Sequence, residues 1–324
     1  MSNYTSFKPA WWLPGSHLQT IWSALFRKKR KFPVFRERLE LPDRDFLDLE
    51  WAGEENDNLV LILHGVAGSS QSSYAQGMLS TLVDAGWQAV FLHFRGCSHE
   101  ANRLERGYHA GETEDLNYVV QTLLKRRKDV RLAIVGVSLG GNVLLKWLSE
   151  KGKDAPIVSA VAISVPFDLA NVANRFDKGF SRVYQWWLLR ELKRGLLKKI
   201  SLLPTHLSVK KIRKIKSFWE FDDQVTAPMY GFKNAEHYYQ LESARQYLKG
   251  ICKPTLILHA ADDPFMTPDA IPLPGELSPA ITMELSLKGG HVGFIGGQVP
   301  WKATYWLEER IPLFLKRFFT DNGV

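Results

Sequence analysis

The residue whose setting most clearly indicates chemistry is Ser138, in the sequence GVSLG at 136–140. This pentapeptide fits the pattern G-x-S-x-G, and it falls where an apolar run ends and a helical stretch begins. Such a turn forces the serine into a strained backbone conformation that projects its hydroxyl, while the small Gly136 and Gly140 avoid collision with the neighbouring strand and helix. The sequence therefore predicts that Ser138 is a nucleophile for acyl transfer.

A serine hydroxyl is a poor nucleophile near neutral pH, so the chain must also supply a base and a carboxylate. His291 lies in the glycine-rich segment GGHVGF, after the last apolar strand, and it is the only histidine beyond His259. The flanking glycines allow the loop to bring the imidazole ring over the edge of a sheet. We therefore predict that His291 is the general base.

Three aspartates are candidates for the carboxylate that orients His291. The apolar run PTLILHA at 254–260 is followed by Asp262 and Asp263, which places both at the carboxyl end of a strand. Asp263, three residues past the end of the strand, is the predicted acid, and Asp262 is then solvent-facing or structural. Asp168 follows an earlier strand and is the rival, because the acid is found there in some proteins with this architecture.

The charge that develops on the attacked carbonyl oxygen requires hydrogen-bond donors. The backbone N–H of Leu139 is one predicted donor, because this residue begins the helix after Ser138. The loop after the strand LVLIL reads HGVAG at 64–68, and the backbone N–H of Val66 is the predicted second donor. His64 is expected to brace this loop rather than to react.

Short apolar strands alternate with helical stretches through most of the chain. This alternation predicts a mostly parallel sheet covered by helices on both faces. In such a sheet the active site lies at the carboxyl ends of the strands. The predicted strands are a pair within 36–53, then LVLIL (59–63), AVFLHF (89–94), RLAIVGV (131–137), VSAVAISV (158–165), PTLILHA (254–260) and ITMELSL (281–287), and the predicted helices lie near 72–86, 112–127, 139–149 and 301–319.

The alternation stops between Pro166 and Gly250, where the chain is rich in aromatic and basic residues. We predict a helical cap at 166–249, inserted after the sixth strand. The remaining segments, 1–165 and 250–324, are predicted to form the core.

Part of this cap has the periodicity of a basic amphipathic helix. Such a helix either covers an apolar acyl pocket with its charges in water or lies on an anionic membrane surface. A second basic run at 210–216 adds support to the membrane alternative, and an apolar cap favours esters with a hydrophobic acyl group. The apolar positions are Val183, Trp186, Leu189, Leu192, Leu196 and Ile200, and the basic positions are Arg190, Lys193, Arg194, Lys198 and Lys199.

The charge balance restricts the possible partners. The formal net charge of the 324 residues is +8, which attracts nucleic acid, anionic lipid or acidic substrates without distinguishing them. No nucleic-acid recognition motif accompanies the basic runs, so we predict no nucleic-acid partner. The sequence assigns no oligomeric state.

Composition also bears on location and cofactors. No apolar run approaches the roughly 18 residues that cross a bilayer, and Pro9 and Pro14 interrupt the apolar N-terminal stretch, so a cytoplasmic protein is predicted. Cys97 and Cys252 have neither disulfide nor metal-site spacing. Neither a metal nor a cofactor is expected.

Longer segments extend these observations: HLQT (17–20), HFRGCS (93–98), YHAGETEDL (108–116), GVSLGGN (136–142), KGFSRVYQ (178–185), HAADDPFM (259–266) and GGHVGFIGG (289–297). Together they closely resemble the YheT-like esterases of the embryogenesis-associated branch of α/β hydrolases. The resemblance spans nearly the whole chain and implies an α/β-hydrolase fold. It also implies a triad of Ser138, Asp263 and His291, the same set that the residue patterns select.

The leading hypothesis is a carboxylic ester hydrolase that forms an acyl-enzyme. The alternatives are a lipid hydrolase or thioesterase with the same triad, and a catalytically idle module that binds a membrane surface or a protein. No catalytic role is assigned to Arg95, Cys97, Tyr108 or His109. They are expected either to brace loops by hydrogen bonds or to lie on a loop that borders the acyl pocket. Cys97 is not expected to be a nucleophile, because the sequence specifies no base beside it.

Overall fold

The computed structural model describes residues 7–27, 33–203 and 207–319, together with the backbone of residues 3 and 4. Strands and helices alternate through most of this chain. The strands are β1 (Asn3–Tyr4), β2 (Val34–Glu40), β3 (Phe46–Ala52), β4 (Asn58–Leu63), β5 (Gln88–His93), β6 (Arg131–Val137), β7 (Ser159–Ile163), β8 (Thr255–Ala260), β9 (Ile281–Ser286), β10 (Ile295–Gly296) and β11 (Thr304–Tyr305). The α-helices are α1 (Ser16–Phe26), α2 (Ser73–Asp84), α3 (Thr113–Arg126), α4 (Leu139–Lys151), α5 (Leu169–Phe176), α6 (Ser181–Lys198), α7 (Val209–Lys214), α8 (Phe218–Phe221), α9 (Ala227–Tyr230), α10 (Ala235–Glu242) and α11 (Trp306–Phe319).

The described strands β1 to β9 form one sheet in the order β1-β9-β8-β7-β6-β4-β5-β3-β2. Neighbouring strands are parallel from β1 to β5, and only the β5–β3 and β3–β2 pairs are antiparallel. The predicted mostly parallel sheet is therefore confirmed. Because β4, β6, β7 and β8 are parallel neighbours, the loops that follow them meet at one edge of the sheet.

Each central strand is buried on both faces. Leu61 and Ile134 belong to one apolar core with Trp147 of α4, whereas Ile62 and Val135 belong to a second core on the opposite face, which α2 and α11 cover. All four strand residues are fully buried. This two-sided burial explains why the sequence of each strand is uniformly apolar rather than alternating.

The chain leaves the sheet after β7 and returns at β8. Between these strands, the described residues form helices α5 to α10, a π-helical turn at Asp222–Thr226 and a 3-10 helix at Ala244–Gly250, with no strand among them. The insertion follows the sixth strand that the sequence predicts, and β7 is the seventh in the structure because the short β1 has no signal in the pattern.

Two predicted helices differ from the observed ones. α11 begins at Trp306 rather than near Trp301, because Pro300–Lys302 forms a 3-10 turn and Thr304–Tyr305 pairs with β10. In α6, Val183 and Trp186 of the predicted apolar row are about half exposed or more. Leu189 of the same row is buried, and so is Leu188, which lies outside the row. No helix in the described residues is both long enough and apolar enough to cross a membrane.

Candidate active site

Ser138 occupies a tight turn between β6 and α4. Its backbone has φ 53° and ψ −120°, in a region that residues other than glycine rarely adopt. A Cβ on Gly136 would lie 2.6 Å from the carbonyl oxygen of Gly140, and a Cβ on Gly140 would lie 2.5 Å from the carbonyl oxygen of His64. The two motif glycines are thus required because strand, turn and helix pack without clearance.

The loops after β6, β8 and β9 bring together the three residues selected from the sequence. The Oγ of Ser138 lies 3.0 Å from Nε2 of His291, and Nδ1 of His291 lies 2.8 Å from Oδ2 of Asp263. Since a carboxylate only accepts, Nδ1–H donates to Asp263 and leaves Nε2 free to accept the proton of Ser138. The three side chains can therefore pass a proton from the serine hydroxyl to the imidazole.

Asp263 is held as an ionised acceptor. Its second oxygen accepts from the backbone N–H of Phe265 at 2.9 Å. Burial acts to raise the pKa of this carboxyl, but the His291 ring beside it and these hydrogen bonds outweigh burial and hold the pKa below its ordinary value.

The two rival aspartates lie elsewhere. Asp262 accepts from the backbone N–H of Gly290 at 2.9 Å. Of the two predictions for Asp262, solvent-facing or structural, this bond agrees with the structural one. Asp168 caps the N-terminus of α5 by accepting from the backbone N–H of Asn171 at 2.9 Å. Of the three candidates, only Asp263 contacts the imidazole of His291.

Two backbone N–H groups beside Ser138 are available to a substrate. Val66 and Leu139 both line the cavity that contains Ser138, and neither N–H has a protein acceptor among the residues that the structure describes. A Cβ on Gly65 would lie 3.0 Å from the Cβ of Ser138, so the loop at 64–68 packs directly on the serine. These are the two donors predicted for an oxyanion.

The loop that presents Val66 is braced from two sides. His64 donates from Nδ1 to the Gly65 carbonyl at 2.6 Å and accepts at Nε2 from the N–H of Phe94 at 3.1 Å, and burial lowers its pKa to about 3. The N–H of Ala67 donates to the Tyr108 hydroxyl at 2.8 Å. His64 and Tyr108 thus brace the loop, as expected.

Arg95 and His109 also hold loops in place, although Tyr108 and His109 line the cavity that contains Ser138 as well. Arg95 forms ion pairs with Asp43, Asp45 and Asp115 at 2.6 to 3.1 Å. Nδ1 of His109 accepts from the backbone N–H of Gly111 at 3.1 Å.

Cys97 is half-buried, and burial raises the pKa of its thiol to about 12. A thiol that ionises so poorly is a weak nucleophile at neutral pH, which agrees with the sequence-based expectation.

A cavity of about 290 Å³ opens at Ser138 and His291. Its walls are largely apolar, and the inserted helices α5, α6 and α8 supply much of them. Leu188 and Leu192 of α6 both lie in the cavity wall. Leu192 belongs to the predicted apolar row, and Leu188 does not. The apolar lining includes Leu169, Val172, Ala173, Phe176, Leu188, Leu192, Phe218, Phe221, Phe265 and Met266.

One carboxyl interrupts this apolar wall, and sequence reasoning missed it. Asp222, in the π-helical turn, accepts from the hydroxyl of Thr226 at 2.6 Å and from that of Tyr239 at 2.7 Å. Burial raises the pKa of Asp222 to about 6, and the two hydrogen bonds only partly oppose that rise. No pattern around 222 signals this contact, because Thr226 reaches Asp222 only through the π-helical turn that both residues share and Tyr239 comes from α10.

Two further contacts of His291 were not predicted. The ring of Phe265 stacks on the imidazole with 3.7 Å between centroids and an interplanar angle of 11°. The backbone N–H of His291 donates to Oγ1 of Thr20 at 2.9 Å. The segment HLQT at 17–20 was noted only for its resemblance, and that resemblance was the one sequence signal for this contact.

The described residues contain no cluster of three or more His, Cys, Asp or Glu side chains that could hold a metal ion.

A serine on a strand-turn-helix bend, backed by a histidine and an aspartate after later strands of a parallel sheet, defines the α/β-hydrolase class. The family model for the alpha/beta hydrolase fold matches residues 58–298. The chain belongs to the α/β-hydrolase family, within its YheT-like branch.

Known proteins similar to this chain carry the names of ester-cleaving enzymes. It is 42% identical to "Putative esterase YheT" of Escherichia coli (strain K12), over 98% of this chain and 95% of that protein. It is 33% identical to a protein named monoacylglycerol lipase in Saccharomyces cerevisiae, over 82% of this chain and 60% of the yeast protein.

Among solved structures, the Pyrococcus furiosus esterase Pf2001 has a similar fold. The TM-score is 0.58 at 17% identity, and the match covers 89% of this chain and 94% of that one.

Proposed function

We propose that the protein is a serine esterase that cleaves carboxylic esters with a hydrophobic acyl group. The observation that carries this proposal is the 3.0 Å contact between Oγ of Ser138, on its strained turn, and Nε2 of His291. The 42% identity to a protein named as an esterase supports the same reaction class. Neither a metal nor a cofactor takes part in the proposed mechanism.

In the proposed mechanism, Oγ of Ser138 attacks the ester carbonyl carbon while its proton moves to Nε2 of His291. Asp263 stabilises the imidazolium that forms, and the N–H groups of Val66 and Leu139 donate to the oxyanion. The alcohol leaves with the proton from His291, and the acyl group stays on Ser138. Water then attacks the acyl carbon, gives its proton to His291, and the acid departs as Ser138 regains that proton.

The apolar cavity wall supports a hydrophobic acyl group. Each methylene that moves from water into such a wall contributes about 0.8 kcal/mol, or roughly a fourfold gain in affinity. We infer that the helices at 166–249 act as a cap whose inner face forms this acyl site.

A panel of p-nitrophenyl esters of increasing acyl length tests the substrate class. The kcat/KM value is expected to rise about tenfold or more from acetate to medium-chain esters, because added methylenes enter the cavity. Leu188→Trp is expected to lower activity on the longer esters while it spares acetate, since the larger side chain fills the cavity. Val183→Trp, on the exposed side of the same helix, is the matched control. An acetate-selective wild-type enzyme would contradict the proposed acyl site.

Lipid hydrolase or thioesterase activity with the same triad is the alternative within this class. The yeast relative named as a monoacylglycerol lipase favours lipid esters, and the same panel, extended to monoacylglycerols and acyl thioesters, separates the three activities. An idle binding module would hydrolyse none of them.

We also propose that the cap contacts an anionic membrane surface. Phe180, Val183, Trp186 and Trp187 of this region are 47% to 62% exposed, and Trp187 also lines the cavity of Ser138. Beside them, a groove in the described residues is lined by seven cationic and no acidic side chains. Exposed aromatic and cationic side chains together suit an interface with anionic headgroups. The predicted cytoplasmic location would give access to such a surface at the inner face of the membrane.

Vesicle co-sedimentation at low and high salt tests this contact. The protein is expected to bind vesicles that contain phosphatidylglycerol and to be released as salt screens the charges. Arg190→Gln with Lys198→Gln should weaken binding about 10- to 30-fold, at about 1 kcal/mol for each charge. Lys125→Gln with Lys128→Gln, on exposed positions outside the groove, should leave binding unchanged. Absence of binding at low salt would contradict the membrane contact.

A further inference from the structure

The loop that carries His291 has a backbone conformation that must be held from outside. Val292 has φ 58° and Phe294 has φ 46°, both in the left-handed region that disfavours residues other than glycine. For the β-branched Val292 this conformation is a genuine outlier. The loop therefore depends on contacts with neighbouring elements to keep its shape.

Three consecutive backbone N–H groups of this loop donate to three side chains from different parts of the chain. Gly290 donates to Oδ1 of Asp262 at 2.9 Å. His291 donates to Oγ1 of Thr20 at 2.9 Å, and Val292 donates to the hydroxyl of Ser164 at 3.0 Å. The middle bond holds the backbone of His291 itself, and its acceptor, Thr20, lies on helix α1.

Helix α1 packs closely against this loop. The hydroxyl of Thr20 donates to the Ser16 carbonyl at 2.7 Å, so its proton is engaged and its lone pairs are free to accept from His291. A second contact lies four residues after His291. The buried Gln19 side chain accepts from the N–H of Ile295 at 2.8 Å and donates to the Ile295 carbonyl at 2.9 Å.

The fit between α1 and the loop leaves no space for a side chain at Gly290 or Gly293. A Cβ on Gly290 would lie 2.5 Å from the Ser16 carbonyl oxygen, and one on Gly293 would lie 2.4 Å from the Gln19 carbonyl oxygen. Helix α1 lies outside residues 58–298, the part of the chain that the family model matches. The helix thus reaches the candidate active site from outside the segment that the family model matches.

We propose that α1 positions the general base, and that Thr20 is a positioning residue that fixes the backbone of His291. This inference rests on the proposed function, in which His291 accepts the proton of Ser138. Without the Thr20 acceptor, the loop can shift, and a displacement of about 1 Å of a reacting group costs up to about 10²-fold in rate. Because this bond acts on the backbone of His291, its loss is expected to change kcat more than KM. Thr20 also lines the cavity, so Thr20→Ser, which keeps the hydroxyl, is the matched reference.

Thr20→Val and Thr20→Ser separate this role from a packing role. Valine keeps the shape but removes the acceptor, whereas serine keeps the acceptor. Thr20→Val is expected to lower kcat about 10- to 100-fold with KM within about twofold, and Thr20→Ser is expected to restore most of the wild-type kcat. If Thr20→Val does not fold, Thr20→Ala, which also removes the acceptor on α1, replaces it.

Backbone hydrogen exchange gives a readout that does not require activity. Peptides that cover 289–296 are expected to exchange faster in Thr20→Val than in the wild type and Thr20→Ser. Unchanged exchange, a kcat within twofold of the wild type, or an equal loss in Thr20→Val and Thr20→Ser would each overturn the inference. Failure of the proposed function gives a different result. Ser138 would then be unreactive in the wild-type protein, whereas failure of this inference alone leaves the wild-type activity intact.

Discussion

Replacement of Ser138 by alanine is expected to lower kcat for ester hydrolysis by at least about 10⁴-fold. The hydroxyl is the only group at this turn that lies within hydrogen-bond distance of Nε2 of His291, at 3.0 Å. Without it no acyl-enzyme forms, and only the residual catalysis of the oxyanion donors and substrate binding remains. The measurement is steady-state hydrolysis of a medium-chain p-nitrophenyl ester, with thermal unfolding as a check that the variant folds.

Ser149→Ala is the matched control for this variant, because Ser149 lies on the same helix α4 about 16 Å along the axis from Ser138. This control should retain wild-type kcat within a small factor. Hydrolysis by Ser138→Ala at the wild-type rate would show that another residue is the nucleophile.

Asp263→Asn is expected to lower kcat by about 10³- to 10⁴-fold at neutral pH. The carboxylate accepts from Nδ1–H of His291 at 2.8 Å and so holds the tautomer whose Nε2 can accept a proton. An amide in its place can donate to Nδ1 and favour the opposite tautomer, which leaves Nε2 protonated. The fall should lie in kcat rather than in KM, because Asp263 acts through the imidazole and not on the bound ester.

Asp168→Asn provides the control for the acid. Asp168 caps α5, and asparagine caps helices as well as aspartate does, so kcat should stay within about threefold of the wild type. Asp262→Asn keeps an oxygen that can accept from Gly290 and should lose far less than Asp263→Asn. A larger loss in either control than in Asp263→Asn would assign the acid to that residue.

The proximity of Ser138, Asp263 and His291 could be predicted from the sequence because it follows from strand order. Each residue lies just after an apolar strand, and in a parallel sheet the carboxyl ends of neighbouring strands meet at one edge. The register of β6, β7 and β8 then brings the loops together without any information from side-chain packing.

Contacts that depend on packing between distant segments could not be predicted in this way. Thr20 precedes His291 by 271 positions, and no periodicity indicates that α1 reaches the histidine loop. The position of Asp222 in the cavity wall depends on how the helices between β7 and β8 pack over the cavity. Both contacts lie where the chain has left the regular strand-helix alternation.

The orientation of α6 shows the same limit. A helical repeat predicts which residues share a face, but several apolar rows are possible when a helix is rich in leucine and tryptophan. The predicted row contains Val183 and Trp186, which are exposed, and Leu189, which is buried, whereas the buried Leu188 lies outside the row. Contact with the core decides between the rows, and that contact is a property of the whole fold.

The most direct test of the central claim is labelling of the wild-type protein with a fluorophosphonate, followed by mass mapping of the modified peptide. An activated serine reacts with this probe and an idle one does not. The expected result is stoichiometric modification of Ser138, which disappears in Ser138→Ala and becomes slow in Asp263→Asn. Absence of labelling in the folded wild type, or a label that persists in Ser138→Ala, would contradict the proposed serine esterase.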